Sequence, residues 1–227
     1  MNRTRSLVIV VSLLCSGHVA AAQDLSRYRA FTLESSLDAV VTAGGGRTTD
    51  AKTLHTRPAM IRSLQWRAPY VSSTETSADP VTEIAFTFYN DSLYQVVVTY
   101  ERGRTDGLTN ADVLDALSAT YGPPISLAVK NRPPAPAEVF PDSIVLAQWE
   151  QGESLMTLVR GSYTPDFQLI VVSKRLSMLA RAAIKESARL DALEAPRRES
   201  DQRKKDADDA SAARETTRVT NKKAFRP

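Results

Sequence analysis

Apolar side chains recur along this chain in two rhythms. In residues 83–89 every second residue is apolar, with Ile84, Phe86 and Phe88 on one face, and in residues 93–101 Tyr94, Val96, Val98 and Tyr100 repeat the pattern. Strict alternation puts such residues on one side of a pleated strand. Asn90-Asp91-Ser92 lies between the runs and supplies turn residues, so the two predict an antiparallel hairpin. A three-residue loop sets Phe88 opposite Tyr94, Phe86 opposite Val96 and Ile84 opposite Val98, which keeps one face apolar throughout. Shorter β-rich runs at 59–67, 143–150, 154–160 and 167–173 predict four further strands.

The second rhythm is helical. Leu33, Leu37, Val40 and Val41 predict a helix over 33–43, with Thr32 to cap it and Gly44-Gly45-Gly46 to stop it. Val113, Leu114, Leu117 and Tyr121 predict another over 109–121. Thr109 and Asp112 form a capping box there, with Asp in place of the usual Glu, and Gly122-Pro123-Pro124 ends the helix. Leu176, Leu179, Ala183, Leu190 and Leu193 mark a third helix over 176–193, with Pro196 beyond it. Residues 68–80 and 125–141, rich in Ser, Thr and Pro, read as loops.

The order is therefore helix, three strands, helix, three strands, helix. Each first strand ends in Gln-Trp, at Gln65-Trp66 and Gln148-Trp149, and glycine closes each preceding helix. Duplication of one αβββ unit is the economical reading. It gives an α+β fold of two such units, 23–107 and 108–175, made of antiparallel sheets with helices on one face, followed by a C-terminal helix at 176–196.

Asp112-Val113 on a helix, Tyr121-Gly122-Pro123 after it, and a loop leading to Trp149 and a hairpin resemble the BamE/SmpA family of small outer-membrane-assembly proteins. Duplicated helix-plus-sheet units of the β-lactamase inhibitor proteins are similar too. The resemblance covers residues 109–173 and, more weakly, 33–101. It implies an envelope interaction module with no chemistry of its own.

The N-terminus agrees with an envelope setting. Residues 1–22 combine Arg3 and Arg5, an apolar stretch (Leu7 to Val11, Leu13, Leu14) and the small run Ala20-Ala21-Ala22 before Gln23. That is the layout of a secretory signal peptide, too short to span a bilayer, with cleavage expected between Ala22 and Gln23. Cys15 is the single cysteine and follows Leu14, where a lipid-attachment signal needs a small residue. Cleavage would leave an exported periplasmic or secreted chain without cysteine, held by its apolar core.

Charge changes the picture only at the far end. The chain carries a net +3, yet residues 197–227 alone hold ten basic and six acidic residues. With Val219 and Phe225 as its only large apolar residues, this tail should be disordered or only transiently helical. Arg197, Arg198, Arg203, Lys204 and Lys205 are its candidate contacts to an anionic membrane, while the interspersed acids should cancel much of that attraction. No nucleic-acid partner is expected.

No catalytic, cofactor-binding or metal site stands out. His55 is the one histidine beyond the leader, too few for zinc or a triad. Gly44-Gly45-Gly46-Arg47-Thr48 lacks a phosphate-loop lysine and follows a helix instead of preceding one. Asn90-Asp91-Ser92 and Asp206-Asp208-Asp209 lack calcium-loop spacing, and Glu150 and Glu153 flank a turn. Phe86, Phe88, Tyr94 and Tyr100 read as core. The functional expectation is an exported, non-enzymatic module that binds an envelope protein. The alternatives are a small-ligand-binding periplasmic protein with a cavity between helix and sheet, or an Asp/Glu-dependent hydrolase.

Overall fold

The computed structural model describes residues 24–67, 79–125, 143–162, 166–224 and 226. The expected signal peptide and its cleavage point at Ala22 and Gln23 lie outside them, as do most of the two expected loops. The described elements are strands β1 (Arg27–Tyr28) and β2 (Phe31–Thr32), helix α1 (Leu37–Gly44), a 3-10 turn (Thr48–Asp50), and strands β3 (Lys52–His55), β4 (Ile61–Arg67), β5 (Val81–Tyr89) and β6 (Ser92–Tyr100). There follow helices α2 (Arg102–Thr105) and α3 (Asn110–Tyr121), strands β7 (Ser143–Gln151), β8 (Ser154–Gly161) and β9 (Phe167–Ser173), and helix α4 (Lys174–Ala224).

The fold is α+β. β1 and β2 form a small hairpin, and the other strands make one seven-stranded antiparallel sheet in the order β3-β4-β5-β6-β9-β8-β7. The two expected units thus share a single sheet, joined where β6 pairs with β9. Around the central pair Val97–Ile170 the registers repeat. The row Trp66–Ile84–Val98 lies one step to one side and Trp149–Met156–Val171 one step to the other. An approximate two-fold axis normal to the sheet therefore exchanges the Gln-Trp pairs. Each tryptophan also meets the glycine end of its helix. Trp149 donates its indole N–H to the Gly122 carbonyl at 2.7 Å, and a Cβ on Gly44 would lie 3.9 Å from the Trp66 ring.

Both faces of the sheet are buried. Leu64, Phe86, Phe88, Val96, Val98, Met156, Leu158, Leu169 and Val171 face α1 (Leu37, Val40, Val41) and α3 (Val113). On the opposite face Val97, Leu155, Val159, Ile170 and Val172 cluster. There α4 packs Leu176 and Ala180 onto Ile61 and Tyr94. This corrects the expectation of helices on one face. β9 runs directly into α4, and the register of Ile61 with Tyr89 sets those residues opposite to Phe88 and Leu64.

The hairpin is shorter than expected. Asn90 and Asp91 both adopt positive φ, 44° and 73°, and Tyr89 pairs with Ser92. That two-residue turn twists as the strands do. Phe86–Val96 and Ile84–Val98 pair as expected, but a register shift sets Phe88 against Leu93. The extra residue of this bulge sends Tyr94 to the α4 side.

α1 begins four residues later than its apolar spacing suggests. Glu34 adopts φ 68°, and Ser36 rather than Thr32 caps the helix, accepting from the Ala39 N–H. Gly45, at φ 73°, ends it and donates to the Val41 carbonyl. The Thr109–Asp112 capping box forms as expected.

The tail corrects a second expectation. α4 runs 51 residues, through Pro196, about 76 Å at 1.5 Å per residue. Composition alone predicts disorder for 197–227, because no apolar face exists to bury. The helix is instead laced by local pairs: Arg203 to Glu199 at 3.3 Å and Arg218 to Glu215 at 2.6 Å. Alanines at 207, 210, 212 and 213 add propensity. Pro196 removes one backbone donor, and Arg198 reaches back over that break to the Asp191 carbonyl and carboxylate, at 3.1 and 3.0 Å. No described residue beyond Ser187 is buried. A chain ending at Pro196 should therefore unfold at the same temperature as the longer one while losing the far-ultraviolet helical signal of 197–224. A lower melting temperature would show that the tail contributes core.

Candidate functional site

Three regions gather side chains that could act. The first is a polar cleft where the N-terminal hairpin meets the start of α4. The backbone of Glu34 is pinned by its N–H donating to the Leu93 carbonyl at 2.7 Å, with Leu93 N–H returning to Ser35 at 2.8 Å. Its carboxylate accepts from the Ser173 hydroxyl and from Arg175, both at 3.0 Å. Lys174 pairs with Glu150 at 2.6 Å, and Leu25 N–H donates to the Gln151 side chain at 2.9 Å. Glu34, Gln151, Ser173 and Arg175, with Asp24 and Glu153, line a cavity of about 480 Å³. The backbone and then the hydroxyl of Ser26 hold the Asp24 carboxyl below its usual range. Glu34 and Glu150 are each engaged by a cation, so the cleft fastens elements together as an ion-paired surface.

The second region is a tyrosine cluster beside an apolar cavity. Arg29 sits between β1 and β2 with its guanidinium 5.4 Å from the centre of the Tyr28 ring. It forks onto Asp79 with two 2.7 Å bonds. Those bonds hold the Asp79 carboxyl low. Burial pushes Tyr28 up to about 12. It raises Tyr121 as well, and raises Tyr100 further with the help of Tyr28 and Tyr121. Next to them, between α3 and the end of β6, Pro80, Tyr100, Leu108, Val113, Ala116 and Leu117 line a cavity of about 310 Å³. Its apolar wall suits an apolar ligand, and Arg104, Thr105 and Asp112 also belong to its lining.

The tyrosines carry a pH signature. A phenol whose folded pKa exceeds the unfolded 10 ionises first in the unfolded chain. The stability present below pH 10 is then lost as pH rises from 10 through about 12 for Tyr28. That shift corresponds to about 2–3 kcal/mol. Denaturation midpoints measured between pH 9 and 12 should fall steeply for the wild type and less for Tyr28→Phe. Parallel curves would refute this. At the acid end, the stability that Asp79 contributes is present above its ordinary pKa and is lost as pH falls below about 4.

The third region is α4. Its buried side carries Leu176, Ala180, Ala183 and Ser187. His55, on the edge strand β3, is hydrogen-bonded to the Ser187 hydroxyl at 3.1 Å, and Arg57 grips Glu194 with two 2.7 Å bonds. On the flank next to that side, Leu179 (44% exposed) and Leu193 (64%) stand in solvent. At 100° per residue they share a ridge with Ala182 and Leu190.

The residues singled out in the sequence are scattered by the fold. Gly44-Gly45-Gly46 ends a helix, Asn90-Asp91 makes a turn, and Phe86 and Phe88 are core. Glu153 stays on the cleft rim while Glu150 faces Lys174. Among the described residues no cluster of three or more His, Cys, Asp or Glu side chains is placed to hold a metal. Of the five tail cations, Arg203 and Lys204 share one flank of α4 with Arg197 at its margin, while Arg198 and Lys205 point elsewhere. Among the described residues no helix is long and apolar enough to cross a membrane. Sequence reasoning missed the tyrosine cluster, because Tyr28, Tyr100 and Tyr121 are far apart in the chain and β1 and β2 are only two residues each. No family model, no curated protein and no solved structure matches the chain.

Proposed function

We propose that the chain is an exported, non-enzymatic protein-interaction module of the cell envelope, whose partner docks on α4. One observation carries this reading. α4 presents a second apolar ridge, Leu179, Ala182, Leu190 and Leu193, on the flank next to its own core contacts. Helices that recognise a groove or another helix use such repeated anchors. Arginines hold the Asp79, Asp191 and Glu194 carboxyls below their usual range, and neutral donors of Ser26 and Thr109 do the same for Asp24 and Asp112.

A photo-crosslinking residue at Leu193, in the native envelope, should capture one protein that the same residue at Lys185 does not. The purified partner should then bind the wild type and not Leu193→Asp. Capture from both positions alike, or from neither, refutes the reading. Export is tested separately by mass spectrometry of the mature chain, which should begin at Gln23. An intact Met1 on exported material overturns it.

A second reading rests on the apolar cavity beside Tyr100, whose volume of about 310 Å³ lies at the lower end for ligand sites. A small apolar ligand there should raise the melting temperature of the wild type and leave Ala116→Trp, whose side chain fills the space, unchanged.

A further inference from the structure

Helix formation sorts the charges of the tail. In the linear sequence, bases and acids alternate closely after Pro196. Wound at 100° per residue, Arg203, Lys204, Arg214, Arg218 and Lys222 fall within one sector about 100° wide. That sector contains no Asp or Glu. The other positions in it are small or neutral: Pro196, Ser200, Ala207, Ser211 and Asn221. The six acids, Glu199, Asp201, Asp206, Asp208, Asp209 and Glu215, all lie outside it. Two of the stripe's arginines are partly compensated from its edges, Arg203 by Glu199 and Arg218 by Glu215. Lys204, Arg214 and Lys222 are exposed, with no ion pair among the described residues. From Arg203 to Lys222 the stripe runs about 29 Å along the axis.

The geometry points to this stripe as a docking face for an anionic lipid surface. A plane of negative headgroups touches just the sector that faces it, so the helix offers five cations there, with Glu215 at the edge and the other five acids about 90° or more from the sector's centre. A disordered tail would bring both signs to the surface together. The gaps between the cations hold no large apolar side chain, so the helix should lie on the headgroups and not insert between acyl chains. A nucleic-acid groove fits the stripe less well, because its walls would also embrace the flanks that carry Asp201, Asp208 and Glu215. The inference does not depend on the protein-partner reading, which uses a ridge that ends at Leu193.

Adjacent lysines provide the test. Lys204 and Lys222 lie 18 residues apart inside the stripe, and Lys205 and Lys223, also 18 apart, lie 100° away among Asp201, Asp208 and Asp209. The double variants Lys204→Gln/Lys222→Gln and Lys205→Gln/Lys223→Gln change net charge equally and at nearly the same distance from the chain end. The full mature chain and both variants are titrated with phosphatidylglycerol-containing and pure phosphatidylcholine vesicles, at low and physiological salt, with circular dichroism of each. The wild type should bind the anionic vesicles, bind more weakly at physiological salt, and ignore the neutral ones. Each stripe lysine should be worth roughly five-fold in affinity, so the first variant should lose about 25-fold. The second should lose less than about three-fold, its cations being set off the contact sector. Equal losses in the two variants, binding indifferent to lipid charge or salt, tighter binding to duplex DNA than to the vesicles, or absence of helical signal from 197–224 would each overturn the proposal.

Discussion

Phe88→Ala should destabilise the protein by about 3–5 kcal/mol in chemical denaturation, the cost of emptying a fully buried aromatic site. Phe88 is 0% exposed. It belongs to the cluster that joins the sheet to α1 and α3, beside Phe86, Leu93 and Leu37. Close packing of the core around it leaves little room for neighbours to collapse into the void. Tyr89→Ala is the control on the other face. Tyr89 is half-buried against Ile61, Tyr94 and Leu176 of the α4 contact, so its loss should be clearly smaller but not zero. Equal losses would mean that the two faces are equally dependent on one side chain, and a reversed order would mean that the faces are misassigned.

Trp149→Ala should cost a similar 3–5 kcal/mol, and Trp149→Phe should cost about 1–3 kcal/mol. The indole is 2% exposed and its N–H is donated to the Gly122 carbonyl. The phenylalanine variant keeps most of the apolar contact but leaves that carbonyl, at the end of α3, without its donor. Trp66, its counterpart across the axis through Val97 and Ile170, is only partly buried, and its ring meets Gly44 by contact. Trp66→Ala should therefore cost less than Trp149→Ala. If Trp66→Ala proved the costlier, the partial exposure of Trp66 would not describe its environment in solution.

Local sequence determined a good deal of this protein. The alternation in 83–89 and 93–101, the capping box at Thr109 and Asp112, the glycine stop after α1 and the strands around Trp149 and Met156 all follow from neighbours within a few residues. The repeated Gln-Trp also carried real information, because each pair occupies an equivalent row of the sheet. Where sequence reading went astray, the deciding force was not local. Glu34 leaves the helix because its backbone bonds Leu93, 59 residues on, and β3 is legible only as the partner of β4, its own residues being mostly exposed.

The tail shows the division most clearly. Its composition fixes how many charges it carries and the absence of a core-forming face. Only the helical winding decides which charges stand together, because a 100° turn per residue separates Lys204 from Lys205 and joins it to Lys222. The same holds for the sheet. Its strands are written in the alternation of residues along the chain. That β6 meets β9, so that two units share one sheet buried on both faces, is settled only when distant apolar surfaces find one another. Burial is a property of what arrives from elsewhere in the chain, and that is why tertiary structure alone could assign α4 to the far face and gather Tyr28, Tyr100 and Tyr121 into one cluster.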